Sequence, residues 1–259
     1  MTETGDKRIQ LEKEGQLAVL TIARPEKLNA LDYDMILALE RAAHIIDADL
    51  DVRVAIITGT GEKSFCAGGD ISAWSGMSPE EFALKWIRHG HRAFDALARL
   101  RVPLIAALSG HTLGGGLEIA ATADMRIAED HVKLGLPETG LGIIPGWSGT
   151  QRVARRFGAQ VTRRMAVMGE IFDASQALTL GIVDRVVPMG QSLAVAREVA
   201  SQILQRGPIA TQAVKMLINA AEGEDTERAI EAVASLAASS SAELREGVMA
   251  FKEKRKPRF

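Results

Sequence analysis

The chain has 259 residues, 47% of them hydrophobic and 25% charged, which suits a compact folded protein and excludes disordered, collagen-like and disulfide-scaffold classes. Lys and Arg total 31 against 33 Asp and Glu, a formal net charge of −2, so no global excess of positive charge draws nucleic acid or an anionic bilayer. The single cysteine, Cys66, cannot form an internal disulfide, and a reducing compartment is expected.

Met1 to Gln10 mixes Glu3, Asp6, Lys7 and Arg8 with almost no apolar run, unlike a signal or transit peptide, so a cytoplasmic protein is expected. No stretch approaches the ~18 consecutive apolar residues of a membrane span. Leu17–Ala23 reads as a buried strand, followed by a turn at Arg24-Pro25-Glu26-Lys27. A helix is expected from about Asp32, because Met35, Ile36, Leu39, Ala42, Ala43 and Ile46 recur at spacings of three and four. Val54–Thr58 is a second strand, Pro79–Leu100 a long helical pattern and Leu104–Leu108 a third strand. A small-residue helix over Leu117–Ala123 precedes two short apolar pieces, Met125–Ala128 and Val132–Leu136. Helices are expected over Thr150–Phe157 and Ala174–Leu180, the latter with Asp173 as N-cap and Gly181 past its end. Val183–Val187 is the last strand. Leu193–Leu204, Ile209–Ala221, Thr226–Ala238 and Ala242–Lys254 all read as helices. The pattern is that of an α/β protein, with an α/β body over residues 1–195 and a helical C-terminal region over 196–259.

Glycine is abundant, at 24 residues, and three familiar glycine motifs fail. Gly59-Thr60-Gly61 lacks the third glycine of a dinucleotide fingerprint, where Ser64 stands. Gly110 and Gly115 have P-loop spacing, but Gly116 and Leu117 replace the required Lys and Ser/Thr. Gly146-Trp147-Ser148-Gly149-Thr150 departs from a nucleophile elbow at Thr150. What remains is two strand-to-turn segments, Phe65–Ile71 and Ser109–Glu118. Glycine lets backbone approach a ligand, and two converging N–H groups would hold an oxyanion, although plain turns use the same residues. Glu118 sits in an otherwise apolar helix. Because helical side chains lean toward the N-terminus, its carboxylate is expected to return to the N–H groups of those turns. Glu138 occupies a second loop, and two such carboxylates can divide acid and base work where burial and repulsion separate them. No His pair has metal-ligand spacing, and Cys66 has no activating base nearby in sequence.

In this order the motifs resemble the enoyl-CoA hydratase/isomerase, or crotonase, superfamily over nearly the whole chain. They are Arg24-Pro25-Glu26-Lys27-Leu28-Asn29-Ala30-Leu31, Phe65–Ile71, Gly114-Gly115-Gly116-Leu117-Glu118, Pro137-Glu138, Ile144-Pro145-Gly146 with Gly149-Thr150-Gln151-Arg152, and Phe251-Lys252-Glu253-Lys254-Arg255. The resemblance implies a spiral of ββα units with a C-terminal helical region that mediates a homotrimer or a dimer of trimers. It implies an acyl-CoA thioester substrate, with coenzyme A as part of that substrate and no other cofactor. By the same resemblance the N–H groups of Gly69 and Gly115 form an oxyanion hole. Glu118 acts as base on water attacking C3, Glu138 delivers a proton to C2, and Gly146 helps position the water. Leu28, Ala30, Ala67, Gly69, Asp70, Ile71 and Gly114 would cradle the substrate, and Lys254 would reach a CoA phosphate unless it is simply a solvated tail residue.

Retention of both glutamates favours reversible hydration of 2-enoyl-CoA to 3-hydroxyacyl-CoA. The alternatives are an enoyl-CoA isomerase working through Glu138 and, more remotely, a non-catalytic RNA-binding relative, against which the mixed charges of the C-terminal helices argue. Two departures stand out. Trp147 replaces a small residue beside Gly146 and would shorten or reshape the acyl pocket, and Ser72 replaces a common lysine and would weaken a phosphate contact. Trp74, Met77 and Trp86 fall in a segment that lines the acyl site in relatives, a placement that core residues would share.

Overall fold

The computed structural model describes residues 4–224 and 241–259, so the helix expected over Thr226–Ala238 lies outside the described residues. β1 (Ile9–Glu14) pairs antiparallel with β2 (Leu17–Ile22), and α1 (Tyr33–Ala48) follows. Asp32 caps α1 by accepting a hydrogen bond from the Met35 N–H at 3.1 Å, as the sequence pattern suggests.

One unit then repeats three times. β3 (Val54–Gly59) enters a large sheet and β4 (Ser64–Cys66) a small one, followed by α2 (Ile71–Trp74), α3 (Pro79–Glu81), a π-helical stretch over Phe82–Ile87 and α4 (Arg88–Ala98). β5 (Leu104–Leu108) and β6 (His111–Leu113) repeat the pattern before α5 (Gly115–Ala120). β7 (Met125–Glu129) and β8 (Lys133–Gly135) repeat it before a 3-10 turn at Glu138–Leu141, α6 (Arg152–Phe157) and α7 (Ala159–Ala166). β9 (Phe172–Asp173), α8 (Ala174–Thr179), β10 (Arg185–Val187) and α9 (Ser192–Leu204) complete this part. The large sheet has the order β1-β2-β3-β5-β7-β10 and the small sheet the order β4-β6-β8-β9. This is the spiral of ββα units that the resemblance implies.

The large sheet is covered on both faces, which is why its central strands read as unbroken apolar runs. Ala55, Ile57, Leu104, Ala106 and Leu108 face the main core with α1, α4 and α5. Val54, Ile56, Ile105 and Ala107 face a second core closed by Ala196, Val199 and Ala200 of α9. Because α9 is packed on β3, β5 and β7, the first compact unit extends to Pro208, beyond the boundary expected near residue 195. The second unit, from Ile209, contains most of α10 (Pro208–Ala221) and all of α11 (Ala242–Lys252). No helix among the described residues is long and apolar enough to cross a membrane.

The turn after β2 is fixed by Asn29, which is fully buried at a φ of 57°. Its Nδ2 donates to Thr60 O at 2.9 Å and Ser64 O at 2.8 Å, and its Oδ1 accepts from Arg24 N at 2.8 Å. Asn29→Ala is therefore expected to lower unfolding free energy by at least about 2 kcal/mol, since it strands three backbone groups and forces a non-glycine residue to keep a positive φ. Urea denaturation monitored by circular dichroism measures the loss.

Candidate active site

β4, β6 and β8 are adjacent and parallel, with Cys66 opposite Thr112 and Leu113 opposite Gly135. The segments that leave their carboxyl ends therefore start side by side. These are the turns that carry Gly69, Gly115 and Glu138. Contact is close enough to exclude side chains: a Cβ on Gly68, which has a φ of 98°, would lie 3.0 Å from Gly115 N, and one on Gly116 only 2.0 Å from Cys66 O.

The direction of both candidate oxyanion donors follows from peptide planarity. In a trans peptide the C=O and the N–H point opposite ways. Leu31 N–H donates to Gly68 O at 2.8 Å, which turns the Gly69 N–H away from that bridge. Leu117 N–H and Glu118 N–H donate to Gly114 O at 2.8 and 3.1 Å, which turns the Gly115 N–H away from α5. Neither glycine N–H donates to a protein acceptor among the described residues, and both glycines line the same pocket.

Glu118 and Glu138 line that pocket too, at 2% and 8% exposure. Glu118 Oε1 accepts from Trp147 N–H at 2.6 Å and Gly149 N–H at 2.7 Å. Glu118 thus lines one pocket with Gly69 and Gly115, while the loop after Pro145 supplies its donors, an arrangement that side-chain direction alone does not reveal. Glu138 lies over the β6–α5 turn, its Oε1 2.9 Å from where a Gly114 Cβ would stand, while its Oε2 has no partner among the described residues. Burial pushes both carboxyls above their ordinary range, and repulsion by Glu138 pushes Glu118 further, against the pull of its two N–H donors and of Arg152. Arg152 is itself buried and joined to Asp95 of α4 at 2.6 Å. Two such neighbours cannot both be charged cheaply, so the pair retains a proton near neutrality.

The remaining wall is apolar: Trp74, Phe82, Trp86, Ile87, Ile143 and Trp147. Trp147 is 2% exposed, with its ring 5.2 Å from Trp86 and 5.0 Å from Phe94. Gly90, inside α4, makes room for it, since a Cβ there would stand 2.0 Å from the indole Nε1. Sequence reading passes over Gly90, although a glycine inside a helical pattern is a signal of close packing.

The other expected residues divide. Ala67, Gly69, Ile71, Gly114, Gly146 and Trp147 line the pocket. Leu28 adjoins it through its carbonyl, which accepts from Ala67 N–H at 3.1 Å, and Arg24 Nη1 donates to Ala30 O at 2.9 Å. Asp70 is paired with Arg24 at 2.9 Å and caps α2, so it fixes the position of the Gly69 turn; Arg24 is the partner that sequence reading quotes without a role. Ser72 Oγ donates to Asp70 Oδ1. Lys254 belongs to the second unit, where it is exposed just beyond α11. Ser148 has a φ of 76°, as an elbow residue would, but its Oγ faces His91 Nδ1 at 3.1 Å and does not line the pocket. Cys66 is fully buried, with its thiol pushed up to about 12 by burial.

The family profile described as enoyl-CoA hydratase/isomerase matches residues 12–259. A crotonyl-CoA hydratase of Syntrophomonas wolfei is 39% identical over 97% of this chain and 97% of its own. A short-chain-enoyl-CoA hydratase of Clostridium acetobutylicum is 40% identical over 95% of each. Among solved structures, Pseudomonas aeruginosa DspI superposes with a TM-score of 0.83 at 33% identity, covering 98% of this chain and 97% of that one. An enoyl-CoA hydratase from Bacillus anthracis gives 0.80 at 32% identity, covering 98% and 99%.

Two outcomes follow from the site's packing and charge. Ala is ordinarily favoured over Gly in a helix interior by about 1 kcal/mol, yet Gly90→Ala is expected to destabilise this protein, and to become neutral or stabilising once Trp147→Ala is also present. A double-mutant cycle in urea reads the reversal. Glu118 and Glu138 bind protons more tightly folded than unfolded, so from the ordinary carboxylate range to above neutrality the folded state holds more protons and stability falls as pH rises. Glu118→Gln is expected to flatten that decline in unfolding midpoints taken at pH 5 and pH 8.

Proposed function

The chain belongs to the enoyl-CoA hydratase/isomerase family, and on that premise we propose how its residues carry out the reversible hydration of 2-enoyl-CoA to 3-hydroxyacyl-CoA. The thioester oxygen sits between the N–H groups of Gly69 and Gly115. As water adds, negative charge moves onto that oxygen, where fixed donors stabilise the enolate-like state more than the substrate; one such donor is worth roughly 3 to 4 kcal/mol.

Water lies between the two carboxyls, positioned with the help of Gly146. Glu118 works in its ionised form, which its two backbone N–H donors and Arg152 favour against burial and the repulsion of Glu138, and it takes a proton from the water as oxygen bonds to C3. Glu138 holds the shared proton on the carboxyl whose Oε2 has no partner among the described residues, and it delivers that proton to C2. The product gains one water, Glu118 ends protonated and Glu138 ionised, and return of the proton to Glu138 resets the pair. Dehydration is the same path reversed. Coenzyme A enters as part of the substrate, cradled by the Leu28–Ala30 turn and the Ala67–Ile71 segment. Lys254 would contact a CoA phosphate.

The observation that carries this reading is that two buried carboxyls line one pocket with two glycines whose N–H groups have no acceptor among the described residues. A homotrimer or dimer of trimers is proposed for the assembly. Exposed Val214, Leu217, Ile218, Leu244, Val248 and Phe251 on the second unit support it, as residues that contact between copies would bury.

Hydration of crotonyl-CoA is followed by loss of the conjugated thioester absorbance. Glu118→Gln and Glu138→Gln are each expected to lower kcat by about 10²-fold or more with a smaller change in KM. Conversion of 3-enoyl-CoA to 2-enoyl-CoA that survives Glu118→Gln, without hydration in the parent enzyme, would instead identify an isomerase that uses Glu138 alone.

A further inference from the structure

We propose that Trp147, housed by Gly90, sets the acyl-chain limit of this enzyme by closing the pocket beyond the carbons next to the thioester, so that the preferred substrates are short, unbranched enoyl chains. The inference rests on the assignment of Gly69 and Gly115 as the donors that hold the thioester oxygen.

The position of the ring carries it. A Cβ on Gly115 would stand 2.7 Å from Trp147 Cζ3, and one on Gly69 would stand 3.4 Å from Cη2. The six-membered ring therefore fills the space a side chain at Gly115 would take and borders the space beside Gly69, where Trp86 Cζ2 stands nearer still, 2.8 Å from a Cβ. Its other edge reaches α4, where a Gly90 Cβ would stand 2.0 Å from Nε1 and 2.2 Å from Cδ1. The indole spans the whole gap between the oxyanion donors and that helix.

The ring also has little freedom to move aside. Trp86 and Phe94 contact it from two sides, and the Trp147 backbone N–H is tied to Glu118 Oε1. Core packing is a poor account of a tryptophan here. Its Nε1 is buried with no acceptor among the described residues, a penalty that a phenylalanine or leucine would avoid while still filling apolar space. What tryptophan adds is reach. Gly90, a costly residue inside a helix, is the matching concession on the other side.

The test measures kcat/KM for straight-chain 2-enoyl-CoA substrates of four to ten carbons, with the parent enzyme, Trp147→Ala and Trp147→Phe. The parent value is expected to fall at least about tenfold from four to ten carbons, a modest demand when one misplaced methylene is worth 10-fold or more. Trp147→Ala is expected to raise the ten-to-four-carbon ratio by about tenfold or more, with Trp147→Phe between. Indole added to Trp147→Ala should refill the space and lower the ratio again. A flat parent profile, as for a chain that leaves past exposed Leu141 and Ile144, overturns the proposal, and so does an unchanged ratio in a folded Trp147→Ala. If that variant does not fold, Trp147→Leu carries the same comparison.

Binding of saturated butyryl-CoA and decanoyl-CoA, followed by calorimetry on the same proteins, separates this proposal from the reaction. Weaker decanoyl-CoA binding to the parent, relieved in the variant, upholds the length limit even where no enoyl-CoA is hydrated, an outcome that would refute only the hydratase reading. Equal affinity for the two, with hydration intact, overturns the length limit alone.

Discussion

The site depends on the register of three very short parallel strands. β4, β6 and β8 contribute only a few ladder hydrogen bonds, yet their pairing decides which residues leave the sheet together. In a strand the side-chain period is two, so a slip of one residue in β6 would exchange its faces and move Gly114 and Gly115 along the ladder relative to Gly68 and Glu138. The large sheet makes such a slip costly. β3, β5 and β7 are each the first strand of a ββα unit, they lie in the apolar core, and each delivers its small-sheet partner within a few residues. The burial that stabilises the fold is thus what fixes the geometry of the small sheet.

A similar division of labour governs the charges. The Gly69 turn is held by neutral backbone bonds to Leu31 and by the Arg24–Asp70 pair, which lies outside the apolar part of the pocket. The carboxyls are treated the opposite way: Glu118 receives two peptide donors and the field of Arg152, and Glu138 receives little beyond burial. Identical side chains thus meet unlike surroundings, the condition under which one site can do acid and base work at one pH. Asp95 neutralises Arg152 in turn, so α4 participates in the electrostatics as well as in the packing.

Much of this was legible in the residues. The central strands of the large sheet and helices α1, α8 and α9 follow directly from apolar runs, helical periodicity and capping residues. Two- and three-residue strands such as β4, β6 and β9 leave no periodic signal, because they exist only through pairing with distant chain. β1 escaped notice since its apolar residues, Ile9 and Leu11, are too few to stand out from a charged N-terminus. Glu118 and Glu138 were visible as acids in apolar surroundings, whereas the Trp147 and Gly149 donors depend on a loop path that no local rule specifies. Gly90 illustrates a signal that was present but had no meaning without its partner.

The π-helical stretch over Phe82–Ile87 gives the long helical arm its angular phase. A π turn holds one residue more than an α turn, and in an α-helix one residue corresponds to about 100° of rotation. Continued as a regular α-helix, the arm would present a different face to the sheet, turning Gly90 and Phe94 away from the indole while Trp86 stayed near its entrance. The extra residue thus works as a rotational offset between two parts of one helix: the first part is phased to line the pocket and the second to back it. A residue inserted or lost elsewhere in the arm, with no such bulge to absorb it, would carry the lining out of alignment without removing a side chain that lines the pocket.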